Sequence, residues 1–172
     1  MPRTPVDEMT PEELSSLAKE IVIRKLSERA HSRGELAQAL AKKQVPEGVA
    51  DATLAKFEVA GLIDDEEFAR SWVQARQRGK GLSSRALANE LRTKGLDDDL
   101  AKEVIGEIDP DVEVEAAHRL VRARLRSLSR YDEATKIRRL TGLLARKGYP
   151  SQLAFAVVRE ELGTEAEALD SM

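Results

Sequence analysis

The feature that most constrains this chain is an internal recurrence. Laying Ser32 on Ser83 brings Leu36 onto Leu87, Ala37 onto Ala88, Leu40 onto Leu91, Lys43 onto Lys94, Val45 onto Leu96, Val49 onto Leu100 and Ala50 onto Ala101, a constant offset of 51 residues. Laying Leu87, Leu91, Lys94, Gly95, Leu96, Leu100 and Ala101 on Leu140, Leu144, Lys147, Gly148, Tyr149, Leu153 and Ala154 gives a third copy at an offset of 53. A fixed period of this length marks stacked supersecondary units rather than one core assembled from unrelated elements. A unit so short buries too little of its own surface, so neighbouring copies must support one another.

Each copy reads as three helices. Thr10-Pro11-Glu12-Glu13 sets a capping box with proline at the first helical position, and Leu14, Leu17, Ala18, Ile21, Val22 and Leu26 follow at helical spacing. Ser32-Arg33-Gly34-Glu35 is a second capping box, opening a short helix with Leu36, Ala39 and Leu40 inward; Pro46 starts a third with Val49, Ala50, Thr53, Leu54 and Phe57. At the seam to the next copy, Gly61 falls where a helix stops in the left-handed conformation. Asp64 is expected to cap the following helix with Glu67 three positions on, and Phe68, Ala69, Trp72 and Val73 form its apolar stripe, which makes Trp72 a core residue. The last copy is introduced by Asp111, expected as an N-cap after Pro110, and by Ala117, Leu120, Val121, Ala123 and Leu125.

With 34% charged and 3% aromatic residues and almost no β-branched runs, the vocabulary is helix-forming. The expected fold is all-α, three tandem three-helix repeats forming an elongated, curved array with a concave face for a long partner. The boundaries are a mobile N-terminal tail over 1–9, repeats over 10–62, 63–110 and 111–163, and an acidic C-terminal tail over 164–172.

Charge and composition exclude several functions. A net charge of -3 argues against a globally basic nucleic-acid binder, and the absence of cysteine excludes disulfides, cysteine-ligated zinc and thiol catalysis. No apolar run reaches the roughly 18 residues of a membrane span, and no signal-peptide core is present, so a cytoplasmic protein without membrane partners is expected. Asp64, Asp65, Glu66 and Glu67 have the oxygen chemistry of a divalent-cation site, but a helix start requires the same residues for capping and dipole charge. Arg78-Gly79-Lys80-Gly81 lacks the spacing and preceding strand of a phosphate-binding loop and reads as a helix stop with a flexible basic link. His31 is placed before the Ser32 cap and His118 on a charged helix surface. Neither belongs to a nucleophile–base arrangement, so neither an enzyme nor a cofactor is expected.

The charge is unevenly distributed. Between residues 115 and 147, Arg119, Arg122, Arg124, Arg126, Arg130, Lys136, Arg138, Arg139, Arg146 and Lys147 stand against Glu115, Asp132 and Glu133, a surplus of seven that leaves the rest of the chain near -10. Such polarity suits alignment on a charged lattice, whether nucleic acid or a polyionic protein assembly. Only Tyr131 and Tyr149 could stack on bases in this region, which argues against sequence-specific single-strand recognition.

Four ordered motifs resemble the RecX family of recombinase regulators: Arg29-Ala30-His31-Ser32-Arg33-Gly34-Glu35-Leu36; Gly61-Leu62-Ile63-Asp64-Asp65-Glu66-Glu67-Phe68-Ala69; Arg76-Gln77-Arg78-Gly79-Lys80-Gly81 with Glu90-Leu91-Arg92-Thr93-Lys94-Gly95-Leu96; and Arg138-Arg139-Leu140 with Leu143-Leu144-Ala145-Arg146-Lys147-Gly148-Tyr149. The resemblance implies a non-enzymatic, all-helical protein that binds the RecA recombinase along the groove of its filament on DNA. It would restrain strand exchange, ATP hydrolysis and stimulated repressor self-cleavage. Expected contacts with RecA or DNA are Arg76, Arg78, Lys80, Arg119, Arg122, Arg126, Arg130, Lys136, Arg138, Arg139, Arg146 and Lys147. The implied protein is a monomer with weak non-specific DNA binding. Two departures stand out: Gln44 sits where the other repeats carry Gly95 and Gly148, and Tyr149 replaces the family's usual phenylalanine. The competing reading is a helical DNA-binding module acting without RecA, its short middle helices serving as recognition helices.

Overall fold

A computed structural model describes residues 4–172. Of the segment expected as a tail, residues 1–3 lie outside the described residues, and Val6–Glu8 form a short 3-10 turn.

Local capping chemistry sets most helix starts. The Thr10 hydroxyl accepts from the Glu13 amide at 3.2 Å and Glu13 Oε2 accepts from the Thr10 amide at 2.8 Å, opening α1 (Pro11–Glu28). Ser32 and Glu35 repeat that exchange at α2 (Arg33–Lys42), and α3 (Glu47–Val59) follows Pro46. Asp64 Oδ1 accepts from the Glu67 amide at 3.1 Å at the start of α4 (Asp65–Lys80), as the sequence predicts. Ser83 caps α5 (Ser84–Thr93), and Asp97 accepts from the Asp99 and Leu100 amides at α6 (Asp98–Gly106). Three more helices complete the chain, α7 (Pro110–Leu125), α8 (Glu133–Arg146) and α9 (Ser151–Asp170). Among the described residues there is no strand, and no helix is long and apolar enough to cross a membrane.

Two sequence expectations shift here. The cap of α7 is Asp109, not Asp111: its Oδ1 accepts from the Asp111 amide at 2.9 Å. Proline's fixed φ belongs inside the first turn, so the extended capping position falls on the residue before Pro110. At the other end, α9 continues as helix through Asp170, into the segment assigned to an acidic tail.

The chain divides into two compact units, Met1–Ser71 with Leu91–Ala101, and Trp72–Glu90 with Lys102–Met172. In the first, α1, α2 and α3 pack around Ala18, Val22, Leu36, Leu40 and Leu54, all with no exposed surface. In the second, α7, α8 and α9 enclose Ala117, Val121, Leu140, Leu144 and Val158. The middle repeat is shared out. Its buried Phe68, Ala69, Leu91, Leu96 and Ala101 fall in the first unit, and Val73, Leu87 and Val104 in the second.

Within each unit one repeat is joined to the next by the same device. In the first, the Lys94-Gly95 turn after α5 lies on the start of α2: the Ser32 hydroxyl donates to the Lys94 carbonyl, and Lys94 Nζ lies 2.9 Å from Glu35 Oε1. A Cβ on Gly34 would stand 2.6 Å from the Gly95 carbonyl oxygen, so backbone meets backbone. In the second, the Lys147-Gly148 turn after α8 lies on the start of α5: the Ser83 amide donates to the Lys147 carbonyl at 3.0 Å, and a Cβ on Gly148 would stand 2.7 Å from Ala86 Cβ. Each joint also borrows a carboxylate from the next repeat. Asp65 Oδ1 accepts from the Arg33 amide at 2.8 Å, and Glu113 accepts from the Ser84 amide and hydroxyl at 2.8 and 2.7 Å.

Candidate interaction face

The acidic run at the seam is consumed by structure. Asp64 caps its own helix, Asp65 caps α2, Glu66 Oε2 lies 3.3 Å from Arg70 Nη1, and Glu67 accepts from the Ser71 hydroxyl at 3.0 Å. Burial is the main force pushing the Asp65 carboxyl above its ordinary range, with the Arg33 amide opposing it.

The basic run is different. α7 ends in a 3-10 turn, Arg126–Leu128, whose buried Leu128 anchors the chain and leaves Arg126 and Arg130 exposed. Asp132 then accepts from the Thr135 amide at 2.8 Å and starts α8. On α8, Leu140 and Leu144 face the core, leaving Arg138, Arg139 and Arg146 exposed. Arg138, Gly142 and Arg146 recur at four-residue spacing and so share one side of the helix. The Arg146 guanidinium lies over Gly142, and the Arg139 guanidinium stacks 4.3 Å from the Tyr131 ring centroid, which uses that ring for a cation.

Three of the twelve expected contact residues are held by carboxylates of the chain. Arg76 Nε donates to Glu90 Oε2 at 2.8 Å, and the Trp72 indole N–H reaches the same oxygen at 2.8 Å. The Arg76 guanidinium also lies 5.3 Å from the Trp72 ring centroid. Arg122 is 2.6 Å from Glu115 and 3.3 Å from Glu161, and Lys136 is 3.3 Å from Glu165. Hydrogen bonding from Arg76, reinforced by Trp72, holds the Glu90 carboxyl below its ordinary range despite partial burial. Among the described residues, Arg78, Lys80, Arg119, Arg126, Arg130, Arg138, Arg139, Arg146 and Lys147 form no ion pair. All are exposed except Lys147, which is half-buried because its carbonyl carries the second joint.

Three other expectations are corrected. Trp72 is half-buried rather than a core residue, because its indole N–H needs an acceptor and finds one in Glu90 at the edge of the helix. His118 is not on an open surface: its side chain is 13% exposed and its Nδ1 lies 2.8 Å from Glu161 Oε1. The basic link is not loose. α4 stops at Lys80, and Gly81, at φ +61°, is buried with its carbonyl accepting from the Tyr149 hydroxyl at 2.7 Å. Burial first, and then the nearby Glu113, push that hydroxyl up to about 12. His31, also buried, lies with Nδ1 2.9 Å from the Arg29 carbonyl just ahead of the Ser32 cap.

Sequence reasoning passed over exposed Arg85 and Arg159, and the role of Glu113. The signal for Glu113 was its place in the first turn of α7, matching Asp65 in the first turn of α4.

Comparison with known proteins supplies the family. The first, second and third three-helix domains of RecX match residues 18–57, 64–105 and 111–158. The regulatory protein RecX of Amycolatopsis mediterranei is 47% identical over 169 residues, spanning 96% of this chain and 97% of its own. That of Streptomyces coelicolor is 42% identical over 166 residues, spanning 96% of this chain and 84% of its own. The crystal structure of RecX from Lactobacillus salivarius superposes with a TM-score of 0.76 at 19% identity, over 87% of this chain and 97% of that one, which speaks to the fold alone.

Proposed function

The chain belongs to the RecX family of regulatory proteins, and from that premise we propose that it binds the RecA recombinase on DNA and restrains it without catalysing a reaction of its own. The observation that carries this reading is the set of nine cationic side chains that form no ion pair among the described residues, most of them on the third repeat, in a chain whose net charge is -3. Cations already neutralised by the chain add little to binding, whereas these are available to phosphates or to an acidic protein surface. Tandem repeats contacting successive filament subunits would multiply weak contacts into useful avidity. On this reading the protein works in the cytoplasm, is monomeric when free, and acts by occluding or destabilising filament subunits.

The test is to titrate the purified chain into DNA-bound RecA while following ATP hydrolysis, with binding to bare duplex measured in parallel across salt concentrations. Inhibition at concentrations well below those needed for bare duplex supports the reading. Tight duplex binding to which RecA adds nothing would favour the DNA-binding module instead. One structural observation weighs against that alternative. A recognition helix presents its N-terminal residues to base edges, but the starts of α2 and α5 are covered by the Lys-Gly turns of the joints. Of the three middle helices α2, α5 and α8, the last begins at exposed residues, and its first turn carries Glu133.

A further inference from the structure

We propose that the groove between α1 and α3 is a second docking surface, which seats an apolar side chain of a partner helix flanked by carboxylates. The inference rests on the RecA reading for the partner's identity, but the groove is distinct from the basic face of the third repeat. It is an open concavity of about 480 Å³. Phe57, 8% exposed, lies in its lining, while Ile23 and Leu62 remain 47% and 61% exposed beside it.

Its charge is one-sided. Among the described residues, Lys19 and Lys56 are its only charged lining residues, and neither forms an ion pair. By contrast, the arginines beside α2 are engaged by Glu35, Asp51 and Glu58. An apolar cleft with ammonium groups and no carboxylate on its walls suits an amphipathic helix that presents one apolar anchor and acidic neighbours a turn away. A basic partner would meet like charge, and a purely apolar one would bring nothing to the two lysines. Within the wall, Thr53 donates to the Val49 carbonyl at 2.8 Å along α3.

The experiment uses the full chain carrying Ala52→p-benzoylphenylalanine, photolysed on DNA-bound RecA. The expected crosslink maps to a helical segment of the recombinase with carboxylates on either side of an apolar residue. Lys19→Glu with Lys56→Glu should abolish that crosslink and raise the concentration for half-inhibition of ATP hydrolysis by about tenfold or more. Lys19→Arg with Lys56→Arg should retain both. Because both lysines are exposed, the reversed variant is expected to keep its helical circular dichroism. Unaltered potency of the reversed variant, a crosslink to a basic segment, or a crosslink to a second copy of this chain would each overturn the inference. If the unaltered chain fails to bind the filament at all, the RecA reading falls and takes the inference with it; if it binds and charge reversal changes nothing, only the inference falls.

Discussion

The joints at Ser32 and Ser83 perform one task with different chemistry. At Ser32 the third residue on is Glu35, which occupies the serine amide, so the serine hydroxyl reaches the Lys94 carbonyl instead. At Ser83 the third residue on is Ala86, the amide is free, and it takes the Lys147 carbonyl itself. Glu35 gathers Arg29 and Lys94 into an ionic cluster at the first joint, whereas the second relies on the Tyr149 hydroxyl and on Glu113. The docked turn is the constant element and its fastening is the variable one.

The comparison also separates two reasons for glycine. Gly95 and Gly148 have φ +77° and +92°, and Gln44, the matching residue of the first repeat, has φ +62°. Positive φ alone therefore does not demand glycine here. Gln44 is exposed, while Gly95 and Gly148 lie against another repeat with no room for a Cβ. Docking makes glycine necessary, and the cost of left-handed backbone is borne at Gln44.

Gly148→Ala should have the largest effect, about 3 kcal/mol, because it adds left-handed strain to a collision with Ser83 and Ala86. Denaturant unfolding should show it, with loss of amide protection around Ser83. Gly34→Ala should cost about 2 kcal/mol: its φ is helical and alanine favours helix, but its Cβ meets the Gly95 backbone, which cannot rotate aside.

Acid should separate the joints next. Burial pushes the Glu35 carboxyl up, but hydrogen bonds from Arg29, Lys94 and Ser32 outweigh it and hold it at about 2, against an ordinary 4.5. A depressed carboxyl stabilises fully above its unfolded value, and that contribution drains away as pH falls from about 4.5 toward 2. Hydrogen exchange should therefore show the first joint loosening over that window, and Glu35→Gln should cost about 1 kcal/mol at neutral pH and flatten the dependence. Retention of the full acid response by Glu35→Gln would show that another group carries it. The smallest effect is a gain: Gln44→Gly should stabilise by about 0.5 kcal/mol through relief of left-handed strain, read as a raised unfolding midpoint.

Much of this architecture was legible because its signals are local. Capping boxes at Thr10 and Ser32, the Asp64 cap and the recurring Lys-Gly turn each lie within a few residues. The joints were not legible, since Ser32 and Lys94 are 62 residues apart and nothing near either one announces the other. The same holds for the basic face: counting charge located it, but Lys136 finds Glu165 29 residues away and leaves the free set. Trp72 was misjudged because an apolar stripe at helical spacing says nothing about where an indole N–H finds its acceptor.

The most direct test combines Arg138→Ala, Arg139→Ala, Arg146→Ala and Lys147→Ala in one chain and compares its effect on RecA filament length with that of the unaltered chain. Among the described residues the side chains at these four positions form no ion pair, so helical content should be unchanged while the concentration needed to shorten filaments rises at least about tenfold, and more steeply with added salt. Equal potency of the two proteins at every salt concentration would contradict the account.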